Sequence, residues 1–185
     1  MAELPFKRLS ISHWLQRDPV LELFGTLDAD GSARSITDDE LVELILEPQL
    51  SSSVPGDVNG LYEAARASMC YGYFFYPLYT LATQQLFRVA EAAVTHRCRD
   101  LKAPPGTNGL SRGIDFLARQ GVISDRDRHR WDAVRILRNR MTHSDWQEIM
   151  PREWQSIHCE SWPSCALAFI RVASFCLTQS PRCER

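Results

Sequence analysis

"PLYTLATQQLFRVAEAAVTHRCRD", residues 77–100, is the stretch on which the fold turns. Leu78, Ala82, Leu86, Val89 and Ala93 return at steps of three or four, which puts them on one face of an α-helix. Pro77 suits the first turn, where its missing N–H has no helical partner and its fixed φ is already helical. A helix is therefore expected from Pro77 to about Asp100, followed by a loop through "KAPPGTNG", residues 102–109.

The same period continues on both sides. Upstream, "GLYEAARASMCYGYFFY", residues 60–76, carries a helical signal into Pro77. Downstream, "LSRGIDFLARQG" places Leu110, Ile114 and Leu117 on one face, with Gly121 as the stop. "SDRDRHRWDAVRILRNRMTH" then opens on Ser124 as an N-cap and buries a stripe of Trp131, Val134, Leu137 and Met141. Behind Pro163, "SCALAFIRVASFCL" is an apolar helix suited to closing a bundle. No segment alternates as a strand does, so the fold class is all-α, an antiparallel helical bundle.

Composition changes at "EPQLSSSVPGDVNG", residues 47–60, a Ser/Pro/Gly-rich linker. It divides the chain into an N-terminal helical extension, residues 1–55, and the bundle, residues 56–185. In the extension, "SISHWLQRDPVLELFGTL" reads as a short helix interrupted near Pro19. "SITDDELVELILEP" is a clearer helix: Thr37 caps it, Asp38, Asp39 and Glu40 suit its positive end, and Pro48 follows its stop.

A formal net charge of -2 gives no global case for a nucleic-acid binder, so any such case is local. Of the 21 basic residues only Lys7 and Lys102 are lysines, and the rest are guanidinium forks suited to phosphate or carboxylate. The six cysteines include no close C-x-x-C pair, and "MAELPFKRLS" has no apolar signal region. Reduced thiols in a cytoplasmic protein fit this pattern. "YGYFFYPLYTLA", residues 71–82, is too short to span a bilayer and contains Pro77, so no membrane association is expected.

Chemistry concentrates in "RILRNRMTHSDW", residues 135–146. An Arg followed five residues later by a His is a loose pattern, expected roughly half a time by chance in a chain this rich in arginine. Arg8 and His13 match it as well. The two matches differ in context. Asn139 and His143 are four apart and stack on one helix face beside Arg138, while Trp131, Val134, Leu137 and Met141 hold the helix to the core.

"LRNRMTH" resembles the R-[polar]-x-x-x-H signature of the HEPN superfamily of α-helical domains, in which Asn commonly follows the Arg. "FRVAEAAV" is similar to the Arg/Glu-containing first long helix of that family, and "LSRGIDFLARQGVIS" to the helix and turn that follow. The likeness covers about residues 60–180 and leaves the first ~55 unexplained. It implies that Arg138 and His143 are a catalytic pair with Asn139 as polar companion. Many members are metal-independent ribonucleases, which implies RNA as substrate, no cofactor, and a toxin or antiviral defence setting with an antitoxin or defence-system partner protein. Some HEPN toxins carry a tyrosine two residues after the histidine, which a partner modifies. This chain has Ser144, Asp145 and Trp146 there, so that regulation is not expected.

The residues suit the chemistry. Attack of a ribose 2'-hydroxyl on phosphate needs a base, an acid for the leaving oxygen, and positive charge at the phosphorane. His143 transfers protons near neutral pH, Arg138 holds phosphate oxygens, and Asn139 orients either. One histidine cannot easily be base and acid at once, so a two-fold homodimer with two copies of the motif is expected.

Around the motif, "DRDRHRWDAVRILRNR" sets six arginines against three aspartates. Arg135 is the candidate auxiliary phosphate contact, the alternating Asp and Arg at 125–128 read as a solvated face with local ion pairs, and Trp131 reads as core. Glu91 has two readings: a carboxylate facing the motif that orients Arg138 or His143, or an exposed glutamate paired with Arg88 or Arg97. His96 with Cys98, and His158 with Cys159 and Cys165, match no zinc spacing, so no metal is expected. A second functional reading stands beside the nuclease: a non-catalytic HEPN-like module that binds RNA, a nucleotide or a partner protein, with "MCYGYFFYPLY" and "TDDELVEL" as docking surfaces.

Overall fold

Local capping chemistry sets the element boundaries in the computed structural model, which describes residues 7–23, 25–28 and 30–142. In chain order, a 3-10 turn (Pro19–Leu23) and an antiparallel hairpin of β1 (Gly25–Leu27) and β2 (Ala33–Ser35) come first. The helices α1 (Asp38–Leu46), α2 (Gly56–Tyr71), α3 (Leu78–Asp100), α4 (Leu110–Arg119) and α5 (Asp125–Thr142) follow. Thr37 caps α1 in a capping box: its hydroxyl accepts from Glu40 N, and the Glu40 carboxylate accepts from Thr37 N at 2.9 Å. Ser124 caps α5 through its hydroxyl, which accepts from Asp127 N at 3.2 Å and donates to Asp127 Oδ2 at 2.7 Å. Gly121 ends α4 in the left-handed region, φ 70°, while Val122 N donates to Leu117 O.

The helices form an all-α bundle centred on α3, which packs against α2, α4 and α5, while α1 packs on α2. Helices α2 and α3 run antiparallel. The start of α2 meets the end of α3 through Asp57 and His96 at 2.7 Å, and Gly72 lies against Tyr79 where the chain turns back. Of the face expected on α3, Ala82, Leu86, Val89 and Ala93 are buried and Leu78 is half-buried. Leu110, Ile114, Leu117, Trp131 and Val134 complete the core, with Leu137 and Met141 packed on its edge. The apolar segment 164–177 lies outside the described residues.

The N-terminal part departs from the expected helical extension. Residues 11–15 form turns, the short helix after Pro19 is a 3-10 turn, and a hairpin stands before α1. The turn "DADGS" explains the hairpin. Gly31 takes φ 83°, a conformation other residues resist, and the Asp30 carboxylate accepts from Ser32 N at 2.9 Å. Strands of three residues are too short to show alternation. Arg34 on β2 then bonds both Asp28 and Glu40, fastening the hairpin to α1.

This segment shares the bundle's core, since Val20, Leu21, Leu41 and Ile45 belong to the same buried cluster as α2 to α5. Its anchor is Asp18, fully buried, whose carboxylate accepts from Val20 N at 3.0 Å and Tyr76 N at 2.8 Å. Lys7 Nζ donates to Phe74 O at 2.9 Å. The aromatic run 73–76 is thereby occupied from inside the chain. Met69, Gly72, Tyr76 and Tyr79 of the "MCYGYFFYPLY" stretch are buried, Tyr71 is exposed and the other six residues are half-buried.

Two outcomes check this architecture. Gly113 on α4 sits against Val94 and Cys98 of α3, so near that a Cβ would overlap the Val94 side chain. Because a helical valine is stiff at χ1, we expect Gly113→Val to cost about 1–3 kcal/mol, read as a lower urea midpoint with unchanged slope. The second outcome concerns pH. The Arg34 guanidinium, helped by the Thr37 N–H and hydroxyl, holds the Glu40 carboxyl down at about 2 against an ordinary 4.5. A carboxyl depressed on folding stabilises fully above its unfolded value, and that contribution is lost as pH falls through the folded one. The urea midpoint should therefore fall between pH 4.5 and about 2 more steeply in the wild type than in Glu40→Gln. Equal slopes would remove the assignment.

Candidate functional site

Helix α5 presents its polar residues as the stripe demanded. Trp131 is 1% exposed and Val134 is buried, which turns Arg138 to the bundle's shoulder and Asn139 outward. Burial removes Trp131 as a stacking platform for a base.

Across from α5, Glu91 projects from α3. Arg138 Nη2 donates to Glu91 Oε1 at 2.8 Å, and Arg138 Nη1 donates to Asn139 Oδ1 at 3.3 Å. Of the two readings of Glu91, the structure displays the carboxylate facing the motif. The guanidinium is planar with its donors in a fixed fork, so these two acceptors set both its position and its plane. The side chains of Arg138 and Glu91 are 35% and 33% exposed, so the pair stands at the surface. His143 lies outside the described residues.

The remaining arginines of α5 are mostly engaged by carboxylates. Arg128 pairs with Asp115 of α4 at 2.7 Å, Arg130 with Asp127 at 3.2 Å, and Arg135 with Asp132 at 3.5 Å. Arg135, the candidate phosphate contact, thus stands beside a carboxylate on its own helix, about one turn from Arg138. The alternating charges at the start of α5 behave as local ion pairs. The competing match, Arg8 and His13, sits on N-terminal turns without a helix face to align it.

Among the described residues no group of three or more His, Cys, Asp or Glu is arranged to hold a metal ion. Cys98 is buried beside Gly113, and burial pushes its thiol up, away from the thiolate form that binds metals or attacks electrophiles. His158, Cys159 and Cys165 lie outside the described residues. Among those described, no helix is long and apolar enough to cross a membrane.

Compared with protein-family models, curated proteins and solved structures, the chain matches none. The site therefore rests on its own geometry.

An ion pair one-third exposed contributes little to stability, typically about 0.2–1 kcal/mol. A double-mutant cycle with Glu91→Gln and Arg138→Ala should return a coupling in that range, with all three variants folded. A coupling several-fold larger would make the pair a structural strut rather than a displayed group.

Proposed function

We propose that the chain is a metal-independent endoribonuclease of HEPN type, acting at a composite site built by two copies, in a toxin or antiviral defence setting. The observation that carries the reading is the Arg138 guanidinium, anchored by Glu91 from the neighbouring helix and touching Asn139. The motif's cation is thus preset at a rigid helix surface, where a phosphate can reach it.

In this reading His143 of one copy takes the proton from a ribose 2'-hydroxyl. The 2'-oxygen attacks the adjacent phosphorus, and the P–O5' bond breaks. His143 of the second copy protonates the leaving 5'-oxygen, while Arg138 carries the negative charge that develops on the phosphoryl oxygens. Asn139 and Glu91 act as positioning residues. Glu91 also tempers the charge of Arg138, so the fork binds phosphate by geometry more than by bulk potential.

One observation favours the second reading, a non-catalytic module. Arg128, Arg130, Arg135 and Arg138 each have a carboxylate partner, so α5 carries less uncompensated positive charge than its composition suggests. A binding module predicts RNA, nucleotide or partner binding that survives His143→Ala, with no strand cleavage.

The deciding experiment incubates the purified chain with single-stranded RNA in chelator. Cleavage should leave 2',3'-cyclic phosphate ends, and Arg138→Ala or His143→Ala should each slow it by about 10²–10⁴-fold with the fold intact. Glu91→Gln should reduce the rate less. Undiminished cleavage by both folded variants would sink the site.

A further inference from the structure

Residues 9–15 turn four large apolar side chains to water: Leu9 is 59% exposed, Ile11 97%, Trp14 55% and Leu15 56%. The loop that carries them is held in shape. Lys7 Nζ bonds Trp14 O at 3.1 Å and Phe74 O at 2.9 Å, and Trp14 N donates to Ser10 O at 3.0 Å. An apolar loop free to collapse would cover itself, whereas this one is fixed with its apolar side outward, the signature of an interaction surface. Residues 7–17 contain Lys7, Arg8, His13 and Arg17 and no carboxylate. Lys7 and Arg17 are engaged by carbonyls of the chain, while Arg8 is exposed.

A surface of opposite character lies on α1. Ile36 and Leu44, with Glu40, Glu43 and Glu47, line a groove of about 400 Å³. Arg34 serves Glu40, and Arg66 serves Glu63 and Leu46 O. The Glu43 and Glu47 side chains have no partner among the described residues, and they stand near the helix C-terminus, where the backbone dipole disfavours negative charge. Such a placement calls for a cation from outside.

From these two surfaces we infer that the 8–15 loop of one copy docks into the α1 groove of a second copy. Ile11 and Trp14 lie on Ile36 and Leu44, and Arg8 faces Glu43 and Glu47. The chain carries both halves of the contact, complementary in charge, and among the described residues the Arg8, Glu43 and Glu47 side chains have no partner, which makes a second copy the occupant. The contact joins two different surfaces, so a two-fold pair makes it twice. It involves neither Arg138 nor Glu91 and does not rest on the nuclease reading.

The test uses the full chain at up to about 100 μM, where even a contact of micromolar strength is populated, with mass read by light scattering. The wild type should associate, and weaken as ionic strength rises toward about 1 M, where charges are screened beyond ~3 Å. Arg8→Glu and Glu43→Arg, both at exposed positions, should each associate at least tenfold more weakly alone. Mixed in equal amounts they should recover, because the swapped pair restores opposite charges at every contact. Ile11→Ser with Trp14→Ser should weaken association at least as much as either charge variant, and any mass that remains above the monomer belongs to pairing through α5. A wild type monomeric throughout, single charge variants that associate like the wild type, or a mixture that fails to recover would each overturn the inference. RNA cleavage is scored separately on the same samples. A wild type that cleaves RNA but shows no association dependent on Arg8 and Glu43 removes this contact alone, and a wild type that docks without cleaving removes the nuclease reading alone.

Discussion

Helix α3 must meet three neighbours at once, and the rest of the bundle depends on how it does so. Small residues let the neighbours approach: Ala82, Ala90 and Ala93 are fully or almost fully buried, and Gly113 of α4 accepts the Val94 side chain where a Cβ would clash. Close packing of this kind leaves little freedom for α4 and α5 to slide along α3, because each methyl group has a fixed neighbour. Glu91 stands on the strip that the packing leaves open. A carboxylate there meets Arg138 without full desolvation, so the pair forms at a modest cost and remains reachable.

The N-terminal segment depends on the same core by a different means. It contributes few apolar side chains, and a buried carboxylate locks it in place. Asp18 supplies acceptors to Val20 N and Tyr76 N, and its own N–H donates to Tyr73 O at 2.9 Å, so backbone groups at the α2–α3 turn are satisfied by a residue far away in sequence. Removing that carboxylate would take this acceptor from Val20 N and Tyr76 N.

How much of this was legible in the sequence follows the range of the forces involved. Helix faces repeat every three or four residues, so the stripes on α3, α4 and α5 could be read directly, as could the caps Thr37, Ser124 and Gly121, whose chemistry acts within one turn. The hairpin could not be read from alternation, although the Asp-Gly turn between two short runs carried its signal. The Asp18 lock was invisible, because nothing local marks one aspartate among many as buried. The candidate site divides in the same way. Arg138 and Asn139 were placed by the helix period, whereas the choice between two partners for Glu91, 47 residues from Arg138, required the packing of α3 on α5.

The arginines of α5 show why composition misleads about charge. A segment with six arginines reads as a basic track, yet the fold brings Asp115 from α4 and Glu91 from α3 to two of them, and the helix supplies Asp127 and Asp132 to two more. Partners on the same helix at i,i+3 move with the arginine and can be displaced by an incoming phosphate at little cost. Partners on another helix are fixed by the core and hold the arginine where it stands. Arg128 and Arg138 are therefore held more rigidly than Arg130 and Arg135. Of the two held by a neighbouring helix, Arg138 alone has Asn139 beside it in the motif, with Glu91 fixing the plane of its fork. A group placed this way presents its fork in one orientation.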